Sequence, residues 1–260
     1  MGLNQLFIKI KYILYIINQS KNLIYPKNII FSFNMKEDFS RGTAIFPSTK
    51  EMLTDWKPHL VVLIVLAFFS WYYFIFRGFA ISGGMIDSIL AFSATIILTL
   101  SFCLGPLSRF LRFIRKDLVY RKTFGLWGYG LVVLHVILAH TLMIYEEGTV
   151  NIADVSSYSV AVIAFVVFTV MAITSTNKWL TMLGYDNWKT LQRTGYLALI
   201  FMILHVILLG QGVYLNRLTG QIAIGFVLIV ILLRIITLIL NVERKHPGLI
   251  EKINGKSSKK

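Results

Sequence analysis

The segment YRKTFGLWGYGLVVLHVILAHTLMIYEE, residues 120–147, has the length and apolar content of a membrane-spanning helix. It nevertheless carries His135 and His140, although ionisable side chains are rare in sequence that crosses a bilayer. A second apolar segment, TGYLALIFMILHVILLGQGVY at residues 194–214, places His205 within ILHVIL, nearly the same local sequence as the VLHVIL around His135. The prediction of function depends on why these imidazoles lie within apolar helices.

The composition is that of a polytopic membrane protein. Hydrophobic residues make up 56% of the 260 residues and the mean hydropathy is +0.70, whereas soluble domains average about 45–50% apolar residues. The formal net charge of +14 comes from basic residues that flank apolar segments instead of forming a separate basic domain, which argues against nucleic-acid binding. The one cysteine, Cys103, excludes an intramolecular disulfide and Cys-based metal sites.

Six apolar segments are long enough to cross a membrane. They lie at about residues 59–76, 86–107, 124–145, 155–174, 194–214 and from 219 to between 233 and 242. The second is expected to close at Gly105-Pro106, because proline disfavours a helix interior. The sequence therefore predicts an all-α fold, a six-transmembrane-helix bundle surrounded by membrane lipid.

The charges of the loops predict the orientation. Basic residues dominate the loop after span two, the loop after span four and the tail, whereas the loop after span three holds Glu146, Glu147 and Asp154 without a base. Cytoplasmic loops accumulate Lys and Arg. This alternation predicts a multi-pass protein of the cell inner (plasma) membrane with both termini cytoplasmic.

We divide the chain into three parts. Residues 1–54 are assigned to an N-terminal cytoplasmic or interfacial extension, residues 55–242 to the transmembrane domain and residues 243–260 to a basic cytoplasmic tail. Met35 is followed by Lys-Glu-Asp, which is typical of a protein start. Residues 1–34 are therefore interpreted either as an upstream extension from start-site choice or as an interfacial helix.

His135 and His205 are predicted to lie at one depth in the membrane. His135 is 11 residues beyond Phe124 and His205 is 11 residues beyond Thr194, which corresponds to roughly 16 Å along each helix, near the middle of a core about 30 Å thick. Spans three and five run in the same direction. This geometry favours axial ligation of one haem iron from opposite faces. The alternative is a pair of buried histidines satisfied by hydrogen bonds; zinc would need further ligands at that depth.

Three other polar residues are candidate cofactor contacts. His140 lies about 7.5 Å further along the helix than His135 and about 140° around it, so it serves a second haem, a quinone or only the helix interface. Arg121 and Arg193 precede spans three and five and either contact haem propionates or a flavin, or only set the topology.

Three motifs resemble the ferric reductase-like transmembrane domain, and within it the haem-binding membrane subunits of periplasmic methionine sulfoxide reductase systems. They are RKTFGLWGYGLVVLH at 121–135, TSTNKWLTMLGYDNW at 174–188 and LQRTGYLALIFMILH at 191–205. The resemblance covers about residues 55–240.

The resemblance implies a six-helix b-type cytochrome that relays electrons from a quinol or a cytoplasmic flavin reductase to an extracytoplasmic oxidoreductase, a molybdopterin enzyme in the methionine sulfoxide system. His135 and His205 match haem ligands of the family, and haem b is the implied cofactor, with FMN or a quinone as a further candidate. Family members often carry another histidine 13 residues before the one matching His205, where this chain has Gln192. An inner haem is therefore not expected at Gln192.

We interpret the chain as an electron-transfer subunit, an oxidoreductase component whose partner performs the substrate chemistry. No Gly-rich βα unit follows the last span, so we expect the reductant to come from another protein. Two other functions stay open: a ferric or metal-ion reductase acting directly on a small acceptor, and a cofactor-free membrane transport or assembly protein.

Overall fold

The computed structural model describes residues 55–76, 81–142, 155–209 and 216–245. The predicted extension at residues 1–54, including Met35, and the tail from residue 246 onward lie outside the described residues.

The described part of the chain is helical and contains no strand. Its α-helices are α1 (Trp56–Phe76), α2 (Gly83–Phe110), α3 (Tyr120–Leu142), α4 (Val155–Ile173), α5 (Asn177–Leu183), α6 (Tyr185–Arg193), α7 (Gly195–Leu208) and α8 (Leu218–Lys245). A 3-10 helix at Arg112–Val119 precedes α3. Six segments are long and apolar enough to cross a membrane: α1, α2, α3 with the 3-10 helix, α4, α6 joined to α7, and α8. The predicted six-span, all-α architecture is confirmed.

The helix α2 is the centre of the bundle. In its most apolar stretch 67% of the residues are buried, compared with at most 22% in each of the other spans. It packs against α1, α3 and α8, whereas α4 pairs mainly with α7. The two helices that carry the histidines, α3 and α7, therefore belong to different packing pairs.

Glycines allow α3 to approach α2 closely. A Cβ on Gly128 would lie 2.7 Å from Cγ of Leu98 and 3.0 Å from its backbone nitrogen. A Cβ on Gly125 would lie 3.3 Å from the hydroxyl of Ser101, whereas one on Gly130 would meet open space. Small residues are what membrane helices use for such close contact. These two glycines therefore admit a neighbouring helix.

The helix α2 continues through Pro106, where the sequence predicted its end. A proline has no N–H to donate to the carbonyl four residues earlier, which is that of Phe102. The hydroxyl of Tyr196 donates to this carbonyl oxygen at 3.2 Å. Because the carbonyl is satisfied, the helix runs to Phe110 instead of ending near residue 107.

The predicted loop after span four contains two short helices, α5 and α6. Gly184 separates them with a φ of 72°, a conformation that glycine adopts readily because it has no Cβ. The indole nitrogen of Trp188 donates to the backbone oxygen of Thr174 at 2.9 Å. This hydrogen bond ties α6 to the end of α4 and fixes where α7 begins.

The outward faces of the spans are apolar, as a surface facing lipid requires. Exposed side chains there include Leu63, Ile64, Val166, Ile229 and Leu232. We call the end where α2 finishes and α3 and α7 begin the basic end. The end where α2 and α4 begin and α3 and α7 finish is the histidine end. Which end faces the cytoplasm stays a prediction from the loop charges.

Candidate functional site

His135 on α3 is hydrogen-bonded to Asp87 on α2. The distance from Nδ1 of His135 to Oδ1 of Asp87 is 2.7 Å. An ionised carboxylate only accepts, so Nδ1 carries the proton and Nε2 carries the lone pair. The two side chains stay 22% and 21% accessible, which leaves an edge of the imidazole open at the side of the α2–α3 contact.

His205 on α7 is hydrogen-bonded to Ser157 on α4. Its Nδ1 lies 2.9 Å from the hydroxyl oxygen and 3.1 Å from the backbone oxygen of Ser157. A carbonyl oxygen only accepts, so Nδ1 again donates and Nε2 again carries the lone pair. The Ser157 hydroxyl, which is fully buried, lies 3.1 Å from the backbone oxygen of His205 and donates to it. This reciprocal pair fixes the ring orientation.

Both imidazoles therefore present a free Nε2. Within the described ranges neither Nε2 takes part in a hydrogen bond. Histidines that bind metals are held in this way, with the other ring nitrogen donating to a carboxylate or a backbone carbonyl.

The helices α3 and α7 make few direct contacts, and each carries its histidine toward the histidine end, where a neighbouring span holds its Nδ1. A flat group can lie between helices that do not pack directly on each other. The residues present fit a haem iron held between two imidazoles.

The partners of both imidazoles lie near the starts of their helices. Asp87, the partner of His135, is four residues from the start of α2, and Ser157, the partner of His205, is two residues from the start of α4. Both histidines therefore lie toward the histidine end of the bundle. The depth of the rings in a membrane, which the sequence places near the middle of its core, stays a prediction.

The structure does not bring the other predicted residues to the histidine pair. His140 is exposed on α3, five residues beyond His135, and is turned away from it. Arg121 lies at the basic end, 14 residues before His135, which is about 21 Å along the helix. That distance excludes contact with the propionates of a haem on His135. Arg193 is exposed at the end of α6, also at the basic end.

Gln192 lies in a packed region at the basic end. Its amide nitrogen donates to the backbone oxygen of Met171 at 3.3 Å and lies 3.5 Å from the hydroxyl of Thr174. A Cβ on Gly195 would overlap the ring of Phe102. Side chains fill the core at this level: Leu98, Phe102, Phe168, Met171, Ala198 and Leu199.

Sequence reasoning missed both partners of the histidines. Asp87 could have been found, because a carboxylate at the start of an apolar span is itself a signal. Ser157 gave no signal, because a serine is common in membrane helices and its importance comes from the backbone and hydroxyl contacts with His205.

Comparison with known proteins identifies the family. Residues 90–203 match the family described as ferric reductase like transmembrane component. This range holds most of α2, all of α3 and α4, and α7 up to two residues before His205.

Two relatives have similar sequences. The magnetosome protein MamZ of Magnetospirillum gryphiswaldense is 29% identical over 170 residues, covering 59% of this chain and 25% of that protein. The protein-methionine-sulfoxide reductase heme-binding subunit MsrQ of Pasteurella multocida is 30% identical over 125 residues, covering 47% of this chain and 60% of that protein. The chain thus spans a quarter of the first and 60% of the second.

The family predicted from the three motifs is confirmed, with MsrQ among the relatives. This chain is a multi-pass membrane protein whose residues 90–203 match the ferric reductase like transmembrane component family.

Proposed function

We propose that the chain is a haem b-containing membrane subunit that relays electrons, with His135 and His205 as the two axial ligands of the iron. One observation carries the proposal: each imidazole has its Nδ1 hydrogen-bonded to a neighbouring span, to Asp87 or to Ser157, and its Nε2 free. The name of the relative MsrQ, a heme-binding subunit, supports the choice of haem over another metal group.

Neighbouring residues of the chain orient the two imidazoles and set the charge beside each of them. A bis-histidine haem has both axial positions closed and exchanges single electrons without binding oxygen. Asp87 fixes the tautomer of His135 and places a negative charge beside it, which favours the oxidised iron. Ser157 orients His205 without adding a charge. The two imidazoles that would hold the haem iron are therefore electrostatically unequal.

We propose one haem per chain. The packing at the basic end supports this number. Aromatic and aliphatic side chains fill the core there, and Gln192 is hydrogen-bonded to the end of α4. A porphyrin there would have to displace Phe102, Phe168 and Met171 from a close-packed interior.

The donor and acceptor are proposed by analogy with MsrQ. Electrons would enter at the basic end from a quinol or a cytoplasmic flavin reductase and leave at the histidine end to an extracytoplasmic oxidoreductase, a molybdopterin enzyme in the methionine sulfoxide system. FMN or a quinone would bind near the basic end, where Arg193 is exposed. This direction requires both termini in the cytoplasm and places the protein in the cell inner (plasma) membrane, as the loop charges predict.

A reduced-minus-oxidised visible spectrum of the purified full-length protein tests the proposal. We expect b-type bands that are reducible by dithionite and unaffected by carbon monoxide, because no axial position is open. A protein without b-type bands would contradict the proposal and favour a cofactor-free transport or assembly protein.

A second measurement separates relay from direct metal reduction. The protein, reduced chemically, is mixed anaerobically with a ferric chelate or with the extracytoplasmic oxidoreductase that copurifies with it. Fast haem oxidation by the protein partner alone supports the electron-transfer subunit. Fast oxidation by the ferric chelate alone would favour a ferric or metal-ion reductase.

A further inference from the structure

Two arginines lie near the basic end, one at the start of α3 and one within the apolar span α8. Arg121 is the second residue of α3, and Arg234 is 16 residues into α8, about 24 Å from its start. Both side chains are half-buried. A guanidinium at such a position is costly unless it is paired, so each needs a partner.

Aromatic rings connect the two guanidinium groups. Cζ of Arg121 lies 5.9 Å from the centroid of the Phe102 ring, and Cζ of Arg234 lies 5.1 Å from that of the Tyr196 ring. The centroids of the two rings are 5.2 Å apart, with the rings edge to face. We call these four residues, from α3, α2, α7 and α8, the arginine–aromatic cluster.

The cluster has positive charge but no acid. Within the described part of the chain, neither guanidinium donates a hydrogen bond or contacts a carboxylate. The two guanidinium groups instead carry like charges over two rings that contact each other. The aromatic faces offset part of this cost, but they accept none of the five N–H donors that each guanidinium carries. An anion between the arginines would satisfy both the charge and the donors.

We propose that Arg121 and Arg234 together bind a phosphate group at the basic end of the bundle. The planar guanidinium matches phosphate oxygens in bidentate geometry, and basic pockets between membrane helices bind anionic headgroups. The rings of Phe102 and Tyr196 give the site an apolar wall that suits the rest of the ligand. The phosphate belongs either to an anionic phospholipid or to a soluble phosphate compound. The site needs no haem, so its occupation can be tested separately from the histidine pair.

The test uses the full-length protein, delipidated in a neutral detergent, and two probes. One arm titrates short-chain phosphatidylglycerol against phosphatidylcholine and counts retained lipid by native mass spectrometry. The other arm titrates inorganic phosphate against chloride at equal ionic strength and follows the thermal unfolding temperature. Saturable binding of phosphatidylglycerol identifies a lipid site, and saturable binding of inorganic phosphate identifies a site for a soluble phosphate compound.

The variants Arg121→Gln and Arg234→Gln are each expected to weaken binding by at least about tenfold. The matched control Arg115→Gln removes an exposed charge from the 3-10 helix at the same end and should leave the affinity unchanged. If Arg121→Gln does not fold, as judged by gel filtration and circular dichroism, Arg234→Gln decides the question. No saturable binding in either arm, or affinity that survives in Arg234→Gln, would overturn the proposal. The haem spectrum reports separately on the histidine site.

Discussion

The two ends of the bundle use the same helices for different purposes. At the histidine end α3 and α7 carry His135 and His205, whose Nδ1 atoms are fixed by neighbouring spans. At the basic end the same two spans carry Arg121, 14 residues before His135, and Gln192, 13 residues before His205. Gln192 is held by backbone and hydroxyl contacts to the end of α4 and leaves no second pair of imidazoles.

The two ends differ in how closely the helices pack around a possible cofactor site. At the histidine end α3 and α7 barely touch, and each histidine has one nitrogen satisfied and one free. At the basic end Phe102, Phe168 and Met171 occupy the corresponding interior. A site between membrane helices therefore needs both oriented ligands and helices that are not packed on each other.

Removal of one of the two imidazoles is expected to have the largest effect, which is the loss of haem. His135→Ala or His205→Ala leaves the iron with one protein ligand, and we predict loss of the b-type bands per polypeptide in the visible spectrum. His140→Ala, on the same helix but turned away from the pair, should keep them. Normal bands in both alanine variants of the pair would show that other residues hold the haem.

The close packing at the basic end can be tested by adding a single methyl group. A Cβ on Gly195 would overlap the Phe102 ring and lie 2.7 Å from Cε of Met171, so Gly195→Ala should lower the free energy of unfolding by about 1–3 kcal/mol. Gly130→Ala is the control, because its Cβ would meet open space; a change of at most about 1 kcal/mol is expected from helix propensity. Equal stabilities of the two variants in detergent-induced unfolding would mean that the core at the basic end can accommodate additional atoms.

The carboxylate beside His135 is expected to set the redox potential. Asp87→Asn keeps a hydrogen-bond acceptor but removes a negative charge that favours the oxidised iron. A tenfold change in relative affinity for the two oxidation states corresponds to about 59 mV for one electron, and we predict an upward shift of roughly that size with haem content retained. The measurement is a spectroscopic redox titration. An unchanged or lowered midpoint potential would contradict the role of Asp87.

The partner of His205 is expected to matter less. In Ser157→Ala the backbone carbonyl, 3.1 Å from Nδ1 of His205, remains as an acceptor. We therefore expect a haem dissociation rate raised by no more than about tenfold and a midpoint shift smaller than that of Asp87→Asn. Transfer of haem to apomyoglobin measures the rate. A shift larger than that of Asp87→Asn would reverse the proposed asymmetry.

The smallest effect is expected at Asp55, a half-buried carboxylate near the basic end. The hydroxyl of Tyr120 donates to Oδ2 of Asp55 at 2.7 Å and lowers the pKa of Asp55 below its ordinary value of 3.8. This hydrogen bond therefore stabilises the fold above pH 3.8, and its contribution is lost as the pH falls through the lowered pKa. Tyr120→Phe should return the pKa of Asp55 toward 3.8, as followed by carboxyl NMR, without changing the haem spectrum. An Asp55 pKa that stays low in this variant would mean that Lys57 and His59 set it.

The sequence was sufficient for the architecture, and it singled out His135 and His205 as candidate ligands. Apolar length and loop charge predicted six spans because the bilayer imposes a minimum length on each helix. The repeated context of His135 and His205 singled out two spans. These signals are local, so they can be recognised before any packing is known.

Features that depend on contacts between distant residues could not be predicted. Pro106 continues a helix because Tyr196, 90 residues later, donates to the carbonyl of Phe102. The partners of the histidines, Asp87 and Ser157, are each 48 residues away.

The central claim is that a single haem lies between His135 and His205. The most direct measurement is the ratio of haem to polypeptide in the purified full-length protein, obtained from the pyridine haemochrome spectrum and quantitative amino-acid analysis. The account predicts a b-type haemochrome with one haem per chain, and none in the double variant His135→Ala, His205→Ala. Two haems per chain, or one haem retained in the double variant, would contradict it.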